Sequence, residues 1–300
     1  MWPIATGCGP PLGWSVCTAT PWSATADSWA NTPSNSTTNS WLFPPRTEEV
    51  QFDEKWSYVS KKQEHCDPAD PADAQRGDWW DHTAYDAEHK LVLWVVPGAR
   101  TAEQTEAVVA GVYQRTEGRP LRLRTSDDYP AYKDAILHVY GTEVTTTPTG
   151  RASARMVPEK VPPPELTYAT VEKKRRRGRV LEILVHLIFG TIAALARALR
   201  RSKVSRRVNV SFWERYNATD RHRNARKVRR SYTFSKDWQV HESMTYFTIY
   251  SYNFCWSVRT LTDRDEHGQA RQRSPAMAAG LTDHVWTMRE WITYPSVRCA

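Results

Sequence analysis

Apolar and polar positions alternate from Val50 to Tyr58. Val50, Phe52, Trp56 and Tyr58 interleave with Gln51, Asp53, Lys55 and Ser57, which predicts a strand over Glu49–Val59 with Asp53 on its polar side. Glu54 falls in the apolar register and is an anomaly there. Cys66 to Asp81 reads as a Pro-punctuated acidic loop, followed by strands at His82–Asp86 and Leu91–Val96. Thr101-Ala102-Glu103-Gln104 is a capping box that opens a helix with Thr105, Val108, Val109 and Val112 on one face. A fourth strand, Leu121–Ser126, ends at Asp127-Asp128-Tyr129-Pro130. Pro130 starts a second helix with Tyr132, Ala135, Ile136 and Val139 as its stripe.

Three strands, a helix, a strand and a helix is the element order of a ribonuclease H-like α/β core. Thr and Pro clusters over Thr145–Glu165 break the pattern as a linker or surface insertion. Tyr168–Glu172 and Arg179–Ile188 form a basic hairpin around Lys173-Lys174-Arg175-Arg176-Arg177. Ser211 to Arg230 reads as a strongly basic helix. Lys236–Trp256 reads as an aromatic-rich helix with Val240, Met244, Phe247, Ser251 and Phe254 near one face. The expected domains are an atypical arm at 1–46, a catalytic core at 47–260 with an insertion at 145–208, and a helical C-terminal extension at 261–300.

Charge changes the picture more than composition does. The 300-residue chain carries a net charge of +8, but residues 1–170 sum to −7, 171–230 to +15 and 231–300 to zero. A local excess of that size is the footprint of a polyanion, most often nucleic acid. Residues 1–46 hold five of the 14 Trp residues, no Lys and only two charges, too few aliphatic positions to build a domain. The five cysteines include no C-x-x-C pair, so neither a zinc ribbon nor a disulfide scaffold is indicated, and a cytoplasmic location is the default. The apolar stretch from Ile183 to Ala196 is interrupted by His186 and is too short to span a bilayer, which predicts no membrane association.

Phosphodiester chemistry without a covalent intermediate calls for two divalent ions held by converging carboxylates. Asp53 in mid-strand, Asp127 at a strand C-terminus and Glu214 in the first turn of the basic helix suit that role. Each also has a structural reading: an exposed strand residue for Asp53, a helix N-cap for Asp127 or Asp128, and a Ser211–Glu214 capping box.

The stretches QFDEKWSYVSKKQ (51–63), TSDDYPAY (125–132), YATVEKKRRRGRV (168–180), NVSFWERYNATDRHRNARK (209–227), FSK (234–236) and YNFC (252–255) resemble transposases of the bacterial insertion-sequence family founded on the first-described insertion element. SPAMAAGLTDHVWTMREW (274–291) is similar to the C-terminal end of some longer members. The resemblance runs roughly from Glu49 to Pro295. It implies a DDE-type integrase core on the ribonuclease H-like fold, with a basic insertion between the second aspartate and the glutamate. Carried over, Asp53, Asp127 and Glu214 become the catalytic and metal-binding residues, with two Mg²⁺ as cofactors and Mn²⁺ as a substitute. Glu54 becomes a supporting neighbour. Asn217 and Arg221 lie at i+3 and i+7 from Glu214, and with Arg223, Arg226, Lys227 and the 173–177 run they become the DNA-contacting set.

The implied partners are double-stranded element-end and target DNA and further copies of the chain, in association with the nucleoid. Two features depart from the family pattern. Trp213 stands where a small aliphatic residue is expected beside Glu214. Residues 1–46 show nothing of the family's N-terminal zinc-binding and helix-turn-helix region, as a frame shift upstream of the core would produce. A non-catalytic DNA-binding remnant is therefore the alternative reading.

Overall fold

The computed structural model describes residues 47–146, 157–228 and 231–293, so the arm at 1–46 lies outside it. The first strand, β1 (Glu49–Val59), has the predicted bounds. It pairs antiparallel with β2 (Gly77–Asp86), which pairs antiparallel with β3 (Leu91–Gly98). After helix α1 (Ala102–Arg115), β4 (Leu123–Asp127) lies parallel to β1 on its other side. Helix α2 (Ala131–Tyr140) leads to a separate two-stranded antiparallel sheet, β5 (Thr142–Thr146) and β6 (Val157–Val161), which starts three residues before the segment expected to be an insertion. Then β7 (Tyr168–Arg176) pairs parallel to β4, and β8 (Arg179–Phe189) returns antiparallel to it. The result is a mixed six-stranded sheet in the order β3-β2-β1-β4-β7-β8, flanked by helices and consistent with a ribonuclease H-like α/β fold.

Local chemistry accounts for these elements. Thr101 accepts the Gln104 N–H at the start of α1, and Thr105, Val108, Val109 and Val112 are buried as the period demands. At Gly111 an added Cβ would stand 2.4 Å from Trp94 Nε1, so only glycine lets α1 approach β3 this closely. The β7–β8 turn has positive φ at both Arg177 and Gly178, the backbone of a tight two-residue hairpin.

The two faces of β1 differ. Phe52, an even-numbered position, packs on Tyr132 of α2 with ring centroids 5.5 Å apart. The odd-numbered positions meet helices α4 (Ser211–Arg223) and α5 (Trp238–Cys255). Gln51 donates to Asn209 O (2.8 Å) and accepts from Trp213 N (3.1 Å), which anchors the start of α4. Lys55 pairs with Asp220 near the end of the same helix. Helix α3 (Ile192–Arg201) closes a small core in which Leu195 and Leu199 pack on Ala169, Val171, Val208 and Val210. Past α5, α6 (Pro275–Ala278) and α7 (Met288–Thr293) lie beside that helix, with Phe254 packed on Trp286 and Trp291.

Four sequence expectations change. Strand β2 begins at Gly77 rather than His82, so Asp81 belongs to a central ladder, paired with Lys55, and not to an acidic loop. The basic helix stops at Arg223, where Asn224 accepts the Arg226 N–H and a short turn follows. No capping box forms at Ser211: the N-cap is Val210, and the Ser211 hydroxyl turns to Asn209 Oδ1 (2.7 Å). Of the expected stripe of α5, Ser251 and Phe254 are buried and Met244 is half-buried, but Val240 and Phe247 are exposed and His241, Thr245, Thr248 and Tyr252 are buried as a further row. A polar stripe is buried there because it faces buried charge on β1 and β2, described below. Among the described residues no helix is long and apolar enough to cross a membrane.

Candidate metal centre

Parallel pairing of β1 and β4 ends at Phe52 and Ser126, so the next residues, Asp53 and Asp127, stand side by side where the two strands part. The C-terminal ends of strands at such a divergence are where open α/β sheets take ligands. β1 runs on beyond the last β4 pair, which leaves its edge open, and Glu54 brings its carboxylate to the same place. One oxygen each from Asp53, Glu54 and Asp127 lies within 4.8 Å of the others. A cleft of about 560 Å³ opens over this point, lined among others by Asp53, Arg100, Asp127, Asp128, Lys173, Arg175 and Glu214.

The carboxylates are only partly compensated. Asp53 Oδ1 accepts the Glu54 N–H (2.7 Å), and Asp127 Oδ1 accepts the Tyr129 N–H (3.2 Å) in a local turn rather than a helix cap. Glu54 Oε2 accepts from Arg100 Nη2 (3.0 Å), whose guanidinium lies over the Tyr129 ring at 4.0 Å and that of Trp80 at 4.9 Å. Glu54 Oε1 is buried with no well-formed hydrogen bond among the described residues, although the Tyr132 hydroxyl acts on the same carboxylate. Burial raises the Asp53 carboxyl well above the usual range, and the charges of Asp127 and Glu54 push it further. Glu54 is raised by burial and Asp127, against Tyr132 and Arg100, and Asp127 by burial against the Tyr129 N–H and Arg100. Three hard oxygen donors crowded together and only partly compensated fit a divalent cation.

Glu214 lines the same cleft but is not one of the three converging carboxylates. Its side chain is 45% exposed and accepts from Lys173 Nζ at 2.5 Å. Because Ser211 does not cap the helix, Glu214 is not engaged as a capping partner. Trp213, next to it, is buried in the interior and does not crowd the cleft. Asp128 accepts from Thr170 Oγ1 (3.1 Å) at the rim.

The basic residues separate into two groups. Arg175 lines the cleft and Arg176 and Arg177 are exposed at the hairpin tip, while Lys174 pairs with Glu182 (3.5 Å). Asn217 and Lys227 are buried, contrary to a DNA-contacting role. Asn217 lies on the sheet side of α4, and Lys227 is consumed by Asp81 and by Thr245 Oγ1 (2.5 Å). Arg221 and Arg226 are half-buried, and Arg223 packs over Trp256 (4.7 Å) and Tyr252 (5.5 Å). Of the residues at the site, Arg100 carried no signal in the sequence. Glu54 carried one, a carboxylate in the apolar register of a strand.

No protein-family model matches the chain, and no curated protein does. Among solved structures it is similar to a Mos1 transposase paired-end complex with the left transposon end, at 16% identity and a TM-score of 0.20, over 45% of this chain and 44% of that one. It is also similar to the Mos1 strand transfer complex, at 15% identity and a TM-score of 0.20, over 39% of this chain and 35% of that one. The chain thus matches less than half the length of either. At that TM-score the likeness carries no weight, and the fold class rests on the strand order and connections of this chain itself.

Proposed function

We propose that the chain is a DDE-type transposase that cleaves the ends of an insertion element and joins them to target DNA. The observation that supports this best is the convergence of Asp53 and Asp127 at the parting of two parallel strands, in one cleft with Glu214 and beside a basic hairpin. In this reading Asp53 and Asp127 hold the metal, with Glu54 against them, and Glu214 completes the site once it leaves Lys173. A divalent ion bound there supplies activation of the attacking oxygen and neutralises charge at the phosphate. Arg100 fixes the Glu54 carboxylate and favours its charged form against burial and Asp127. Lys173, Arg175, Arg176 and Arg177 contact phosphates of the duplex, and Arg221, Arg223 and Arg226 are auxiliary at most, given their burial. The insertion-sequence family named above, the DNA-end and target substrates and the nucleoid location belong to the same proposal.

The test is cleavage and strand transfer of labelled element-end DNA with Mg²⁺ against Ca²⁺. Asp127→Asn abolishes cleavage and leaves non-specific DNA affinity nearly intact, because phosphate contacts rather than the metal set that affinity. Unchanged cleavage with lost affinity would overturn the assignment. Salt-sensitive DNA binding by the wild-type chain with no Mg²⁺-dependent cleavage leaves the alternative, a non-catalytic DNA-binding remnant.

A further inference from the structure

The far edge of the sheet is the 11-residue strand β8, which pairs with β7 on one side and with no described strand on the other. Its exposed side chains include an apolar row: Leu181 is 66% exposed, Ile183 58% and Val185 45%. An unpaired edge with an apolar row is a template for another strand, and monomeric proteins usually blunt it with charge, proline or bulges. Here register shifts against β7 set Leu181 and Ile188 out of the ladder. They leave one regular window, Glu182–Leu187, and no proline or lysine within it.

Nucleic acid does not suit this row. The neighbouring β7 carries the lysines and arginines, whereas the window itself is apolar apart from one carboxylate and one imidazole. We infer that β8 is the contact strand of a two-fold dimer, in which residues Glu182–His186 of two copies pair antiparallel about Leu184.

Two features select this occupant and this register. Centring on Leu184 pairs Glu182–His186 with its own copy and centring on Val185 pairs Ile183–Leu187, and only the first sets opposite partners face to face. The same arrangement sets Glu182 opposite His186 of the second copy, and does so twice. Within one chain Glu182 already pairs with Lys174 (3.5 Å) and His186 with Glu172 (3.3 Å). Joining two copies therefore extends each pair into a run of alternating donors and acceptors, Lys174–Glu182–His186–Glu172, across four strands. On the other face Ile183 of each copy meets Val185 of the other, covering the exposed row. The two-fold also carries the Val180 end of the second copy toward the start of α3, where Ile192 is 80% exposed.

Antiparallel pairing of identical edges places the two-fold axis perpendicular to the sheet. Both clefts then open on the same face of one continuous sheet. The two β4 strands lie five strand spacings apart, and Asp127 aligns through Val171 with Val185, one residue from the axis. The two Asp127 Cα atoms are then roughly 25 Å apart before sheet twist is counted.

Sedimentation of the full chain measures the association, and cysteine cross-linking measures the register. The expected result is a dimer that Ile183→Lys weakens at least about tenfold, since the substitution puts a charge into both symmetry-related Ile183–Val185 pairs. An unchanged thermal melt of that exposed-site variant shows that its fold survives. Leu184→Cys, on the axis, forms a disulfide-linked dimer under mild oxidation, whereas Leu181→Cys and the wild-type chain do not. A monomer at the highest workable concentration overturns the inference, including one whose 182–186 amides are protected from exchange by another segment of the same chain. So does a dimer indifferent to Ile183→Lys, or equal cross-linking from positions 181 and 184.

Discussion

Two clusters of charge sit along β1, one beside the other, and they obey opposite rules. Around Lys55, two cations and two anions are closed in: Lys55 meets Asp81 (3.0 Å) and Asp220, and Lys227 meets Asp81. All four are buried, and the polar stripe of α5 completes the network, with His241 between Ser57 (3.1 Å) and Ser235 (2.7 Å). Two residues earlier, Asp53, Glu54 and Asp127 crowd together with Arg100 as their one direct ion-pair partner among the described residues. In the first cluster opposite charges hold Asp81 far below the ordinary carboxylate range despite complete burial, whereas in the second burial and like charges push Asp53 well above it. Charge that balances internally holds α4 and α5 to the sheet. Charge that does not balance lines the cleft and remains available to a cation.

The sharpest way to break this contrast is to unbalance the balanced cluster. Asp81→Asn leaves Lys55 and Lys227 facing each other without their shared anion and should cost about 3–5 kcal/mol in chemical denaturation, the usual penalty for an orphaned buried charge. A loss near that of an ordinary surface substitution would mean that water enters the network. The next effect belongs to the other cluster. Mg²⁺ at about a hundred times its dissociation constant should stabilise the wild-type chain by about 2.7 kcal/mol. It should not stabilise Asp53→Asn, and equal stabilisation of both would place the ion elsewhere.

How much of this could be read from the sequence depends on where each residue finds its partner. The β1 strand, the α1 cap and the stripe of α1 are local patterns, and they emerge with the right residues. The ionic network is not local: Lys55, Asp81, Asp220 and Lys227 come from four segments, and no short-range period marks them. Asp81 follows two half-buried tryptophans and opens a run, Asp81–Asp86, that is buried on both faces, so no alternation marks it. The same network misleads the reading of α5. Helical periodicity is interpreted by assuming that apolar residues turn inward, but His241, Thr245 and Thr248 turn inward toward buried charge. At the site, Asp53 and Asp127 are legible because strand ends are. Arg100 is not, since nothing in its sequence neighbourhood points to Glu54.

pH separates the clusters again, with opposite signs. Asp81 is depressed in the native state, so its contribution is present above the ordinary aspartate value of about 4 and is lost as pH falls below it. Asp53 is raised, so between that ordinary value and its own native value the folded chain binds more protons than the unfolded chain. Stability of the metal-free protein should then decline as pH rises through that window. Asp53→Asn should flatten the decline and leave the metal-free chain more stable at neutral pH, on the order of 1 kcal/mol. A destabilised Asp53→Asn would show that its carboxylate is structural, like that of Asp81, and would erase the distinction between the clusters.

The smallest effect tests where Glu214 belongs. Its pair with Lys173 bridges an exposed carboxylate and a half-buried ammonium, so Lys173→Met should cost only about 0.2–1 kcal/mol of stability. If Glu214 is a reserve ligand held by a stand-in cation, the same substitution frees it, and titration of the metal-free chain with Mn²⁺ should show tighter binding. If the pair merely fastens α4 to β7, affinity for Mn²⁺ stays unchanged while the melt still falls. Glu214 would then side with the balanced cluster, leaving Asp53, Glu54 and Asp127 as the whole of the unbalanced one.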